Sequence, residues 1–190
     1  MSTSEPIRNK NEICDLIEYY WKRGEMRNYV LITLCLYTAL RIGDILELTW
    51  DHVYDFKRAR ISSSITLTEQ KTGKSKIIAL NDGVVTALTE YLPSAEPGSP
   101  IIINKRTGKA IKRVQAYRLI RSAAESVNCT TRVSCHSLRK TFGYHAWKSG
   151  APVAVIMEIY NHSSMAVTRR YLGITQDEKN TVYLDLDFAV

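Results

Sequence analysis

His136-Ser137-Leu138-Arg139-Lys140-Thr141-Phe142-Gly143 is the stretch from which the rest of this chain can be read. In a helix, residues three and four apart share a face, so His136, Arg139 and Lys140 point together. Two fixed cations and a group that titrates near neutral pH repel one another unless something anionic sits in front of them. A His-x-x-Arg spacing alone reads first as a solvated basic surface. Its meaning therefore depends on the segments to either side.

Downstream, the helix begun at about residue 136 runs to Lys148 and is closed by Gly150. Pro152 opens a second helix with Val153, Ile156, Met157 and Tyr160 on its apolar side. Asn161-His162 ends it, and Ser163 or Ser164 caps a third that reaches Tyr171 and Leu172. His162 and Tyr171 are nine residues apart, and at about 100° per residue an unbroken helix would turn them to opposite faces. The serine pair breaks the helix and lets them converge. The tail from Gly173 to Val190 is acidic, and Tyr183-Leu184-Asp185-Leu186-Asp187-Phe188 has the alternation of a strand.

Upstream lies a run of one charge sign: Lys105, Arg106, Lys109, Lys112, Arg113, Arg118 and Arg121, with no acid until Glu125. Val114, Leu119 and Ala123 give its second half a buried stripe, so the segment reads as a loop feeding a basic helix suited to phosphates. Ile101 to Ile103 reads as a short buried strand, and Asp82 as the cap of a helix through Leu92. From Arg60 to Leu80 the period is that of strands, with Gln70-Lys71-Thr72-Gly73-Lys74 between two runs, which predicts a β-hairpin. Lys71 and Lys74 stand at or near its tip. Tyr29 to Leu40 is apolar nearly all round and predicts a buried helix, followed at once by Arg41-Ile42-Gly43-Asp44. An arginine at the end of a buried helix needs a counter-charge, and Asp44 is the nearest acid to supply it. Asn9 and Glu12 have capping-box spacing before a helix over about 10–23 that Gly24 ends.

A net charge of +7 and an isoelectric point near 9.2 favour an anionic partner. The first thirty residues lack the apolar stretch of a signal peptide, and the apolar run Val30–Leu40 is far short of the ~20 residues that span a bilayer. A cytoplasmic protein without membrane partner is expected. Cys14, Cys35, Cys129 and Cys135 form no Cys-x-x-Cys pair and read as reduced core residues, with Cys135 beside His136 the one hint of a metal site. The expected fold class is α+β, mainly helical, with a small antiparallel sheet (hairpin about 60–80) on one edge, in a single domain over 1–190.

Arg41, Lys71, His136 with Arg139, His162 and Tyr171 thus follow one another along the chain. Acyl transfer wants a base–nucleophile dyad and an oxyanion hole, which this set does not offer. Phosphoryl transfer fits better, because fixed cations stabilise charge on the non-bridging oxygens and a tyrosine can serve as covalent nucleophile.

The chain resembles the catalytic domain of the tyrosine recombinases, the phage-integrase family. The signatures stand as Thr38-Ala39-Leu40-Arg41-Ile42-Gly43-Asp44, Lys71-Thr72-Gly73-Lys74, His136-Ser137-Leu138-Arg139, and His162 with Tyr171 nine residues on. The resemblance implies that Tyr171 attacks a DNA phosphate to form a 3′-phosphotyrosyl link, and that Arg41 and Arg139 hold the non-bridging oxygens. It implies that Lys71 protonates the leaving 5′-oxygen, His136 assists proton transfer, His162 hydrogen-bonds the phosphate and Asp44 orients Arg41. Lys74, Lys105, Arg106, Lys109, Lys112 and Arg113 are then candidate contacts to double-stranded DNA.

No metal, ATP or other cofactor is implied. A homotetramer on DNA and a monomer when free are expected, with the tail from about 173 to 190 docking on a neighbouring protomer. Two departures stand out: Tyr160-Asn161 replaces the frequent Leu-Gly before the second histidine, and only ~30 residues precede the buried helix, too few for an N-terminal core-binding domain. A type IB-like topoisomerase and a catalytically idle DNA-binding homologue are the competing readings.

Overall fold

A computed structural model describes residues 4–174, 180 and 183–185. The first helix, α1 (Lys10–Lys22), is capped by Asn9, whose side chain accepts from the Asn11 amide at 2.9 Å. The expected capping box is not formed, because Glu12 instead accepts from the Thr130 hydroxyl at 2.8 Å. Gly24, at φ +66°, stops α1 in the left-handed conformation that glycine adopts without strain.

The buried helix α2 (Met26–Tyr37) lies against α1 and runs through the middle of the core. Two threonine hydroxyls are satisfied by its carbonyls: Thr33 donates to the Tyr29 carbonyl at 2.9 Å and the C-cap Thr38 to that of Leu34 at 2.7 Å. That is how threonine sits in an apolar wall without leaving a buried polar group unpaired.

After a turn comes the short α3 (Ile42–Leu46). Among the described residues the β content is three separate two-stranded ribbons, not one sheet. Strand β1 (Tyr54–Asp55) pairs with β2 (Arg60–Ile61). The expected hairpin is β3 (Ser64–Thr68) with β4 (Ser75–Ala79), antiparallel from Ser64 opposite Ala79 to Thr68 opposite Ser75. Helix α4 (Asp82–Tyr91) is capped by Asn81, one residue before the aspartate expected to do so. Ile101 and Ile102 are buried, and the strand begins after them as β5 (Ile103–Asn104), pairing with β6 (Lys109–Ala110).

The basic run therefore contains a small hairpin before α5 (Arg113–Ser126), which sequence alone read as a loop. Then follow α6 (Cys135–Lys148), α7 (Val153–Tyr160) and α8 (Met165–Leu172). Asn161 takes the left-handed conformation (φ +53°) that lets α7 turn sharply into α8.

Buried residues form a main core around α2 and a smaller one of Ala39, Ile156, Tyr160 and Leu172, onto which Tyr171 packs. The two meet at α6. Gly143 makes that junction possible, since a Cβ there would lie 2.4 Å from the Tyr160 hydroxyl and 2.8 Å from Leu172. Of the cysteines, Cys35 is buried, Cys129 and Cys135 are half-buried, and Cys14 is exposed, contrary to its expected core position. The alternating tail falls partly outside the described residues. Tyr183 and Leu184 have helical backbone and are exposed, so at those positions the expected strand is not formed.

Candidate active site

Arg41, Lys71, Arg113, His136 and Arg139 line one open cavity of about 430 Å³. Four segments bring them there. Arg41 is the N-cap of α3, His136 and Arg139 lie one turn apart on α6, Arg113 is the first residue of α5, and Lys71 is in the β3–β4 connection.

Ser134 fixes the start of α6, its hydroxyl accepting from the Ser137 amide at 3.2 Å while the Ser137 hydroxyl accepts from the Ser134 amide at 3.1 Å. This reciprocal cap sets the helical phase that aims His136 and Arg139 into the cavity. Arg139 is only 3% exposed. Its guanidinium donates to the Ala39 carbonyl and, at 3.3 Å, to that of Tyr160, and it lies 4.8 Å from the Tyr160 ring centroid. Tyr160 in turn donates its hydroxyl to the Arg139 carbonyl at 2.6 Å. Ala39 takes a positive φ of 54°, unusual for a residue with a Cβ, in the turn that presents this carbonyl.

Arg41 is held differently from the expectation. Asp44 does not pair with it. The Asp44 carboxylate accepts from the Gln70 amide at 3.0 Å and so pins the loop that carries Lys71. Arg41 pairs instead with Glu69, fully buried, at 3.0 Å. Sequence reasoning looked for the counter-charge nearby in the chain, and the partner lies 28 residues on, at the end of β3. The only signal available was an acid at the end of a strand, directly before the lysine motif.

Tyr171 lies behind the cavity. Its ring meets those of His136, His162 and Tyr160 at centroid distances of 5.0, 4.9 and 4.8 Å, with Lys140 5.4 Å from its own centroid. The hydroxyl is buried and makes no hydrogen bond among the described residues. Burial raises its pKa above the ordinary phenol value, and Arg139 pulls the other way by its charge at a geometry short of a hydrogen bond.

His162 is oriented by Thr168, 3.0 Å from its Nδ1, and its pKa falls to about 4 through burial, then Arg139, Arg41 and His136. His136 keeps an open face at the cavity mouth. Its pKa is lowered by partial desolvation and by Lys140, Arg139 and Arg41. Both imidazoles are therefore biased to the neutral form, able to take a proton.

Lys74, Lys105, Arg106, Lys109, Lys112 and Arg113 are all exposed. Of these only Arg113 lines the cavity, and Lys105 borders a different one beside Arg27 and Glu90. Cys135 also lines the active cavity, its thiol pushed up to about 11 by burial. Among the described residues no group of three or more His, Cys, Asp or Glu gathers as a metal site, and no helix is long and apolar enough to cross a membrane.

The class of fold is that of site-specific recombinase catalytic domains. The XerA recombinase superposes on 96% of this chain and 65% of its own with a TM-score of 0.77 at 23% identity. The XerH site-specific recombinase bound to palindromic difH substrate does so over 97% and 54% with a TM-score of 0.78 at 16% identity. The chain belongs to the phage integrase family, whose signature matches residues 8–178. The probable integrase/recombinase YoeC of Bacillus subtilis is 33% identical over 183 residues, covering 96% of this chain and 97% of that protein. Tyrosine recombinase XerD of Mycobacterium tuberculosis is 29% identical over 158 residues, which are 79% of this chain but 49% of XerD, so the chain spans about half that relative's length.

Proposed function

We propose that this protein cuts and rejoins double-stranded DNA at specific sites through a covalent phosphotyrosyl intermediate, as a recombinase or integrase. The observation that carries the reading is the Tyr171 ring packed between two histidines biased neutral, behind a cavity lined by three arginines and a lysine.

The Tyr171 oxygen attacks the scissile phosphorus, and its proton passes to His136. The P–O5′ bond breaks as Lys71 protonates the departing 5′-oxygen. Arg41 and Arg139 hold the non-bridging oxygens, whose charge grows in the transition state, and His162 adds a hydrogen bond. Attack by a 5′-hydroxyl from another strand breaks the Tyr171 O–P bond, restores the phosphodiester, gives the hydroxyl proton to the lysine and returns the His136 proton to Tyr171, so no external energy source enters the balance. Arg113 and the exposed cations from Lys105 to Lys112, with Lys74, bind flanking phosphates. On DNA the active assembly is a tetramer closed by head-to-tail contacts, with the segment after Tyr171 reaching a neighbour.

A pool of nicked duplexes, in which the short 5′-hydroxyl fragment between the scissile phosphate and the nick diffuses away after cleavage, tests this. The wild type forms an adduct that survives denaturation, and Tyr171→Phe forms none while keeping its circular dichroism. An adduct of undiminished yield in Tyr171→Phe, or one lost instead in Tyr160→Phe, assigns the nucleophile elsewhere. Relaxation of supercoiled circles without sequence preference speaks for the topoisomerase reading.

A further inference from the structure

Glu69 is a fully buried carboxylate at the meeting point of three segments of the site. A single oxygen, Oε2, accepts from Arg41 Nη1 at 3.0 Å, Thr72 Oγ1 at 2.9 Å and Asn161 Nδ2 at 2.8 Å. Among the described residues the other oxygen has no hydrogen-bond partner, and it faces Lys76 Nζ at 3.8 Å. Lys76 is itself tied to α7 through the Ile159 carbonyl at 2.5 Å. Thr72 follows Lys71 in the chain, and Asn161 precedes His162.

Burial favours the neutral acid, but the hydrogen bonds from Asn161, Thr72 and Arg41 and the charge of Arg41 outweigh it and hold the carboxyl below its usual range. The ionised carboxylate is the better acceptor for three convergent donors. Backbone bonds reinforce the node: the Gly73 amide donates to the Glu69 carbonyl at 2.8 Å, and the Glu69 amide to that of Lys74 at 3.0 Å. The Lys71 loop is thereby folded back onto the residue that also holds Arg41.

We propose that Glu69 is the positioning residue of this site: one carboxylate sets Arg41 directly and, through Thr72 and Asn161, the loops that carry Lys71 and His162. The assignment rests on the recombinase reading for its consequence, but the mechanical tie does not depend on it. Glu69 does not touch the reacting atoms. It correlates three groups that arrive from distant parts of the chain, and misplacement of such groups by about 1 Å is enough to cost around 10²-fold in rate.

Two measurements test it. In free protein, hydrogen exchange of Glu69→Gln should quicken in residues 70–74 and in 161–163 together, with α1 and α4 unchanged. Thr72→Val should loosen only the first segment. Asn161→Gly, which keeps the left-handed turn, should loosen only the second. On nicked DNA, Glu69→Gln should slow Tyr171-dependent cleavage about 10²-fold. A substrate with sulfur as the bridging 5′-atom needs no proton on its leaving group. It should recover at least about tenfold of that loss, the part due to a displaced Lys71. Arg41→Ala should show no such recovery.

If Glu69→Gln fails to fold, Thr72→Val and Asn161→Gly carry the test, because their side chains meet at Glu69 and should be non-additive by about tenfold in cleavage. Loosening of one loop alone in Glu69→Gln, additive effects of Thr72→Val and Asn161→Gly on cleavage, or wild-type cleavage by Glu69→Gln each overturns the proposal. Absence of any Tyr171 adduct in the wild type refutes the recombinase reading, and the exchange result still decides whether Glu69 ties the loops.

Discussion

Arg41 and Arg139 line one cavity and are held by opposite means. Arg139 is clamped by the carbonyls of Ala39 and Tyr160, and among the described residues no carboxylate pairs with it. Arg41, 27% exposed at its side chain, is bound to the buried Glu69 carboxylate. Carbonyl dipoles fix a guanidinium while leaving its net charge intact, whereas a carboxylate 3.0 Å away cancels much of the field felt at a distance. Arg139 also outweighs Arg41 in the effects on both His162 and Tyr171. The α6–α7 wall thus supplies fixed charge, and the α3–hairpin wall supplies a charge tuned by its partner.

The largest effect that tests this contrast is exchange of each arginine for lysine. One ammonium cannot reach both the Ala39 and Tyr160 carbonyls, so Arg139→Lys leaves a buried acceptor unpaired, at about 1–3 kcal/mol of stability. Its cleavage should fall by roughly 10³-fold, since the most effective fixed cation is displaced. Arg41→Lys keeps an ion pair with Glu69 and should lose only about tenfold, within the usual range for one misaligned contact. Measured cleavage rates and melting temperatures in the reverse order would break the contrast.

A second pair of substitutions probes the walls mechanically. At Gly143 an added Cβ meets the Tyr160 ring and Leu172 inside packed core, so Gly143→Ala should cost about 1–3 kcal/mol in denaturant unfolding. At Gly43 the Cβ would lie 2.4 Å from Nη2 of Arg113, the free end of a flexible side chain. Gly43→Ala should therefore leave stability within about 0.5 kcal/mol, while DNA affinity falls as far as it does in Arg113→Ala. A large stability loss at Gly43 would mean that wall is no softer than the other.

How much of this the sequence disclosed follows from how far apart the partners lie. His136 and Arg139 are on one helical turn, and the break between His162 and Tyr171 is written in local residues, so periodicity and capping sufficed. The β3–β4 hairpin was legible for the same reason. The Arg41–Glu69 pair was not, because composition and spacing carry no information about which acid a buried arginine meets across 28 residues. Nor could the sequence show that Asp44 would serve a backbone amide in preference to its neighbour Arg41. The division of the β residues into three ribbons depends on packing against helices and not on strand propensity.

The smallest effect concerns protons and isolates charge from geometry. His162 titrates near pH 4 in the folded protein against an ordinary value of 6.5, so its neutral form is favoured by folding. Between those values the unfolded chain binds the proton more tightly. The His162 contribution to stability is therefore complete above about pH 6.5 and is lost as pH falls toward 4. Removing a nearby cation must raise the folded value and narrow that window. Arg139→Gln and Arg41→Gln each delete one positive charge, but the carbonyl-held Arg139 acts on the imidazole more strongly than Arg41 does. The His162 ring resonance, assigned by its loss in His162→Gln, should shift its midpoint upward in both variants and further in Arg139→Gln. Equal displacements, or a larger one in Arg41→Gln, would show that the two arginines do not differ in the field they exert on His162 and that the two walls differ in mechanics alone.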